Sequence, residues 1–246
     1  MIKFFSKIAD WLRRYDETHN FTCDVCGREV FAGERVCAAC RKTLPFNDRL
    51  ICPYCGRRVR EAGVCLECKQ SRPAVEKARS AFVHEGEAAE LVLRFKKGSK
   101  YLFRTLCDFL TPLLEREFAD ADSLTFVPMT KRARRKRGYN QSRLLAEELS
   151  RRSGKQFLDA AEKRRETSMQ KSLGRLEREK NLKDCFRVTD KSAVRGKRIV
   201  IVDDTFTTGS TVSELARALL HAGAECVYAL TVTSVPDRRN ASENRT

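Results

Sequence analysis

The sequence predicts an α/β protein, a mostly parallel sheet flanked by helices, preceded by a small metal-held module. Three observations carry this. Apolar strands and amphipathic helices alternate from about residue 73 onward. Ile199-Val200-Ile201-Val202 is a continuous β-branched run of the kind found in strands covered on both faces. Four C-x-x-C pairs fall between Cys23 and Cys68 and nowhere else. The 246 residues, 41% hydrophobic and 33% charged, are globular in composition, enough for one or two domains at about 150 residues each. No apolar run approaches the roughly 18 residues of a membrane span. Asp10 and Arg13-Arg14 interrupt the first segment, so no secretory signal is expected.

Residues 1–20 come first. Ile2, Phe5, Ile8, Trp11, Leu12 and Tyr15 recur at three- and four-residue steps with Lys and Arg on the other faces, an amphipathic N-terminal helix. Such a helix packs on a neighbouring domain or lies on an anionic membrane surface.

Residues 21–72 form an internal repeat, CDVCGREVFAGERVCAAC against CPYCGRRVREAGVCLEC. Gly27 and Gly56 follow the second cysteine of a pair, where a tight knuckle needs a backbone that only glycine adopts freely. Four thiolates around one ion make the closed tetrahedral site of structural zinc. Disulfides would need an oxidising compartment, and a redox motif would need a single pair rather than four. Two structural zinc ions are therefore expected from Cys23, Cys26, Cys37, Cys40, Cys52, Cys55, Cys65 and Cys68. The repeat favours sequential pairing, and the spacing leaves cross-bracing open. Cys107, Cys185 and Cys226 stand among apolar neighbours and read as small hydrophobes.

Residues 73–235 carry the α/β pattern: strand 81–83, helices 88–96 and 102–118, strand 124–127, helix 140–152, an unpatterned stretch to about 183, then strand 198–202, helix 212–221 and strand 226–233. Residues 236–246 are a polar tail. Asp203 and Asp204 follow the buried run, at the end of a strand where open α/β sheets place ligands. A loop of hydroxyls and one glycine then enters a helix. Thr211 and Glu214 have capping-box spacing, and Gly223 suits the position after the helix end. Hydroxyls and free N–H groups at a helix start receive a terminal phosphate, while adjacent carboxylates accept from a vicinal diol. One element thus fits a ribose 5-phosphate. It lacks the lysine of a Walker loop and the glycines of a dinucleotide loop.

The net charge of +16 is concentrated: residues 131–200 hold 23 Lys/Arg against 9 Asp/Glu. That balance reads as a solvated surface or an anion-facing one, and its concentration favours the second.

IVIVDDTFTTGST resembles the motif with which type I phosphoribosyltransferases bind phosphoribosyl pyrophosphate (PRPP). The resemblance implies a type I phosphoribosyltransferase fold, with Asp203 and Asp204 on the ribose hydroxyls and Thr205, Thr207, Thr208, Gly209, Ser210 and Thr211 completing the PRPP site, Mg²⁺ accompanying the ligand. Val127-Pro128-Met129 resembles that family's pyrophosphate loop. RRKRGYNQ, including Arg137 and Gln141, and the Gln170, Arg175, Arg178 segment resemble signatures of the ComF competence proteins, which also carry tandem cysteine knuckles ahead of such a domain. Thr205, Phe206, Met129-Thr130-Lys131 and Ser172 depart from the usual residues; the acidic pair does not.

The ComF resemblance implies a cytoplasmic PRPP-binding protein of DNA uptake, peripheral to the inner membrane face, near the uptake machinery. Single-stranded DNA would meet Lys131, Arg132, Arg134, Arg135, Lys136 and Arg137, with Tyr139, Phe157 and Phe186 as the aromatics available for stacking. The alternative is an active phosphoribosyltransferase on an unidentified acceptor. Thr207 stands where some relatives carry a catalytic acid, and no residue nominates itself as a base.

Overall fold

The computed structural model describes residues 21–31, 33–165 and 184–237. Its contacts divide the chain into Met1–Leu44 and Pro45–Thr246. The helix expected over 1–20, Gln170, Ser172, Arg175, Arg178 and residues 238–246 lie outside the described residues.

The first unit is built on one knuckle. Gly27 takes φ +74° and its N–H donates to Cys23 O at 2.8 Å. Helix α1 (Ala38–Thr43) starts at Cys37, whose thiol accepts from Cys40 N in place of an ordinary cap.

The second unit holds the second knuckle and the sheet. Helix α2 (Leu66–Gln70) is capped by Cys65 in the same way. Then come β1 (Ala78–Val83), α3 (Gly86–Lys96), α4 (Leu102–Glu117), β2 (Ser123–Phe126), α5 (Lys131–Arg137), α6 (Gln141–Ser153), β3 (Gln156–Phe157), β4 (Ala161–Lys163), β5 (Phe186–Val188), β6 (Arg198–Phe206), α7 (Ser210–His221) and β7 (Cys226–Ser234). Five strands make a sheet in the order β1-β7-β6-β2-β3, parallel throughout. β4 and β5 form a separate antiparallel pair.

Centrality explains β6: Ile199 to Val202 are fully buried because strands flank them on both edges and side chains cover both faces. Val212, Leu215, Ala216 and Leu219 of α7 pack with Ile199, Ile201, Val227 and Ala229. The second knuckle's Cys52, Cys55, Val59, Cys65 and Cys68 belong to the same buried cluster, so this knuckle is built into the core. Gly56 shows how closely it approaches: φ is +65°, and an added Cβ would stand 2.2 Å from Ala78 O.

Several expectations need correction. β6 does not stop at Val202 but runs to Phe206, so both acids lie within the strand, held straight by pairing of Asp203 with Thr231 and Thr205 with Thr233. The capping box at Thr211 does not form: α7 starts at Gly209, φ +76°, with no side-chain cap. Glu214 instead accepts from Asp184 N at 2.6 Å. β3, β4, β5 and α5 arise in stretches without an expected element; the strands are two or three residues long, too short for a period to register. Asp237, near the start of the expected polar tail, is 1% exposed, with its N–H on Arg58 O at 3.0 Å.

Candidate functional site

The metal ligands divide into two sets, Cys23/Cys26/Cys37/Cys40 and Cys52/Cys55/Cys65/Cys68, the sulfurs of each lying within 4.8 Å of one another. Pairing is sequential. Four sulfurs about 2.3 Å from one ion stand about 3.8 Å apart; Cys26–Cys37 at 3.9 Å and Cys55–Cys65 at 3.5 Å match that edge. Backbone N–H groups point at the sulfurs, Cys37 N to Cys23 Sγ and Cys68 N to Cys65 Sγ, both at 3.4 Å. Hydrogen bonds from Cys55, Cys65 and Cys68 hold the Cys52 thiol far below its usual range, while hydrogen bonds within the same set push the Cys55 and Cys68 thiols above theirs. The donors and their spacing fit two structural zinc ions. Cys107 and Cys185 are fully buried while Cys226 is half-buried; burial pushes the Cys185 thiol up to about 11.

The carboxyl ends of β2 and β6 bring the other expected residues together. Asp203 Oδ1 accepts from Ser142 Oγ at 2.7 Å and from Asp204 N at 2.9 Å. Desolvation first, and then the neighbouring Asp204 charge, pushes the Asp203 carboxyl up to about 7. Asp204 Oδ1 meets Lys96 Nζ at 2.8 Å, and the same ammonium donates to Thr205 Oγ1 at 3.1 Å. Beneath them His84 Nδ1 and Thr233 Oγ1 are 2.9 Å apart; burial, then Lys96, keeps that imidazole below its ordinary pKa.

The loop after β6 is tightly folded. Thr208 and Ser210 hydroxyls are 2.8 Å apart. A Cβ on Gly209 would strike the Phe206 ring at 2.5 Å, in a backbone conformation at φ +76° that already favours glycine. Thr207 O accepts from Arg57 Nη2 at 2.7 Å. Thr211 lies in the first turn of α7.

The β2 loop is anchored by the basic motif. Asn140 donates from Nδ2 to Val127 O at 3.0 Å and caps α6 by accepting from Arg143 N. Gln141 is 1% exposed and accepts from Arg137 Nη1 at 3.2 Å. The basic cluster is helix α5, capped by Thr130 Oγ1. Lys96, Lys97, Arg132, Lys136 and Arg137, with Met129 and Ala133, line a groove of about 670 Å³. Five cations and no acid line it, so it suits an anion. Lys131, Arg134 and Arg135 are exposed.

The aromatics are less available than the sequence suggests. Tyr139 OH donates to Phe95 O, Phe157 stacks on Phe126 with centroids 5.7 Å apart under Arg143, and Phe186 is buried. Sequence reasoning missed Lys96, Ser142, His84 and Arg57. Ser142 lies one residue past a recognised motif; Lys96 ends an amphipathic helix, where a cation suits the dipole and carries no signal of a site.

Comparisons with known proteins agree with this arrangement. Residues 20–69 match the double zinc ribbon domain and residues 138–245 the phosphoribosyl transferase domain. The chain is 32% identical over 219 residues to DNA utilization protein YhgH of Escherichia coli K12, covering 83% of this chain and 93% of that protein. It is 28% identical over 214 residues to competence protein ComFC of Bacillus subtilis 168, covering 82% and 86%. It is 29% identical over 216 residues to competence protein F of Haemophilus influenzae, covering 84% and 93%.

Proposed function

The chain belongs to the family of ComF and YhgH proteins, and from that premise we propose that it binds a PRPP-type ligand with Mg²⁺ at Asp203 and Asp204 and single-stranded DNA along α5, serving DNA uptake or utilisation on the cytoplasmic side of the membrane. The observation that carries the reading is the bracketed acid pair: Ser142 fixes Asp203 and Lys96 fixes Asp204, on a strand that continues into the hydroxyl loop.

Each part has a chemical task. The carboxylates accept from the ribose 2- and 3-hydroxyls, and Mg²⁺ supplies charge neutralisation for the pyrophosphate. Loop N–H and hydroxyl groups of residues 207–211 receive the 5-phosphate. The cationic groove beside Met129 takes the pyrophosphate or an adjoining polyanion. Because Tyr139, Phe157 and Phe186 are engaged within the fold, DNA binding rests on phosphate contacts, which makes it salt-dependent and tolerant of sequence.

The test is ligand-dependent stabilisation, since a ligand that binds only the folded state raises its melting temperature. PRPP with Mg²⁺ is expected to stabilise the protein, and the double variant Asp203→Asn/Asp204→Asn to fold yet lose most of that rise while keeping low-salt DNA binding. A variant that keeps the full response refutes the site.

A second reading is transfer of the phosphoribosyl group to an acceptor, with pyrophosphate leaving. It is favoured by the Asp203 carboxyl, whose pKa near 7 suits proton transfer at neutral pH. PRPP consumption by the purified protein, with and without single-stranded DNA, distinguishes the two.

A further inference from the structure

We propose that the second metal knuckle is a working part of the ligand site: through Arg57 it sets the orientation of the 207–211 loop. This rests on the reading of that loop as a phosphate receiver.

Arg57 stands two residues beyond the metal ligand Cys55 and is only 2% exposed, a position no solvated surface arginine occupies. A charge so enclosed must be paired and hydrogen-bonded, and its fork does both. Nη1 meets Glu67 Oε2 at 2.8 Å. Nη2 donates to Thr207 O at 2.7 Å. Glu67 in turn lies on α2 between the ligands Cys65 and Cys68, so both members of the ion pair are carried by the metal cluster. The guanidinium also lies 6.0 Å from the Phe206 ring centre, and it is that ring which closes on Gly209. One unbroken set of contacts thus runs from the four sulfurs to the loop.

The consequence for the ligand follows from peptide geometry. In a trans peptide the carbonyl and the next N–H lie in one plane and point in opposite directions. With Thr207 O drawn toward Arg57, the Thr208 N–H is directed away from it. That N–H belongs to the residue whose hydroxyl meets Ser210 Oγ at 2.8 Å. Without Arg57 the peptide is free to rotate, and the anion site loses a fixed donor. Preorganised donors are worth most where water is excluded. Arg57 is therefore a positioning residue, acting through the Thr207 peptide.

The test uses the full-length, zinc-loaded protein. Arg57→Lys keeps a cation for Glu67 but replaces the fork with a single ammonium that cannot span both partners. Zinc content is expected to stay at the wild-type value. Hydrogen exchange at the amides of residues 207–210 is expected to accelerate at least about tenfold, and the dissociation constant for ribose 5-phosphate to rise about tenfold, the loss of one charge-assisted hydrogen bond. Glu67→Gln, which loosens the same fork from its other end, is expected to move both readouts in the same direction by less, and it serves if Arg57→Lys fails to fold. Wild-type exchange rates together with wild-type affinity in a folded, zinc-replete variant overturn the proposal. If the wild-type protein itself binds no ribose 5-phosphate, the phosphate reading fails, and the exchange rates still decide whether Arg57 holds the loop.

Discussion

Lys96 is the counter-charge of the acid pair, and Lys96→Met removes that charge while leaving the stem. In the folded protein the ammonium is 2.8 Å from Asp204, with side-chain exposures of 30% and 13%. The pair is neither solvated nor dry: exposed pairs are worth about 0–1 kcal/mol, and stripping one partner from a buried pair costs about 3–5 kcal/mol. An intermediate cost of about 2 kcal/mol is expected, a fall of about 4–8 °C in melting temperature for a unit of this size. The pH dependence gives the sharper reading. Asp203 has its folded pKa raised to about 7 from an ordinary value of 3.8, so its contribution to stability is complete below about pH 4 and lost as pH rises through 7. Lys96 pulls the Asp203 pKa down; without it the two carboxylates repel unopposed above neutrality. The thermal deficit of the variant should thus be largest at pH 8 and shrink toward pH 5, where Asp203 is protonated, and added salt should reduce it at pH 8. A deficit equal at both pH values, or greater at pH 5, refutes the assignment of Lys96 as the counter-charge.

Metal analysis of the folded, reduced protein should return two zinc ions per chain, and Cys26→Ser should lose one of them; each site is worth on the order of 10 kcal/mol to its local fold, so the first knuckle should unfold while the Pro45–Thr246 unit keeps its melting transition by circular dichroism. Gly56→Ala forces a Cβ to within 2.2 Å of Ala78 O at φ +65°, at a cost of about 3 kcal/mol from strain and overpacking; a melting temperature within 2 °C of wild type by calorimetry would show that the knuckle does not seat on β1 as described. For DNA, replacing Arg132, Arg135 and Lys136 by Gln should lower the slope of log affinity against log salt by about 2, since each lost single-strand phosphate contact removes about 0.7; fluorescence anisotropy with an unchanged slope would move DNA off α5.

What could be read in advance followed from the physics of each signal. The β6–α7 segment was legible because burial on both faces demands an unbroken apolar run and because acids and hydroxyls at its end have no packing reason to be there. The knuckles were legible because thiolate spacing is set by the ion, and only the choice of partners needed three dimensions. The neighbours of the acids were not. Lys96 and Ser142 come from helices whose patterns report the buried face alone, and nothing along the chain records that their remaining side chains point at β6. Arg57 was lost for the opposite reason: a cation in a basic stretch reads as surface, and its burial arises only when Gly56 brings the knuckle against β1. The strand end was misplaced because Asp203 and Asp204 have poor strand propensity, yet pairing with β7 carries the ladder through them to Thr205 and Phe206.

The sheet order has a consequence for the birth of the protein. Among the described residues β1 has β7 as its one partner strand in the sheet, Ala78 lying opposite Ala229, with about 150 residues of chain between them. At about 5–20 residues per second, a ribosome needs about 8–30 s to complete that interval. Throughout it, Phe82 and Val83 belong to a strand with no partner strand, and the β1 edge is a template for the wrong neighbour. β6 and its acid pair are made almost as late. The second knuckle, by contrast, is complete by Cys68 and can close on its metal at once, offering β1 a folded surface to rest on before any strand arrives. Metal supply during synthesis would then govern yield more than the stability of the finished protein, and starvation for zinc would show first as aggregated chains.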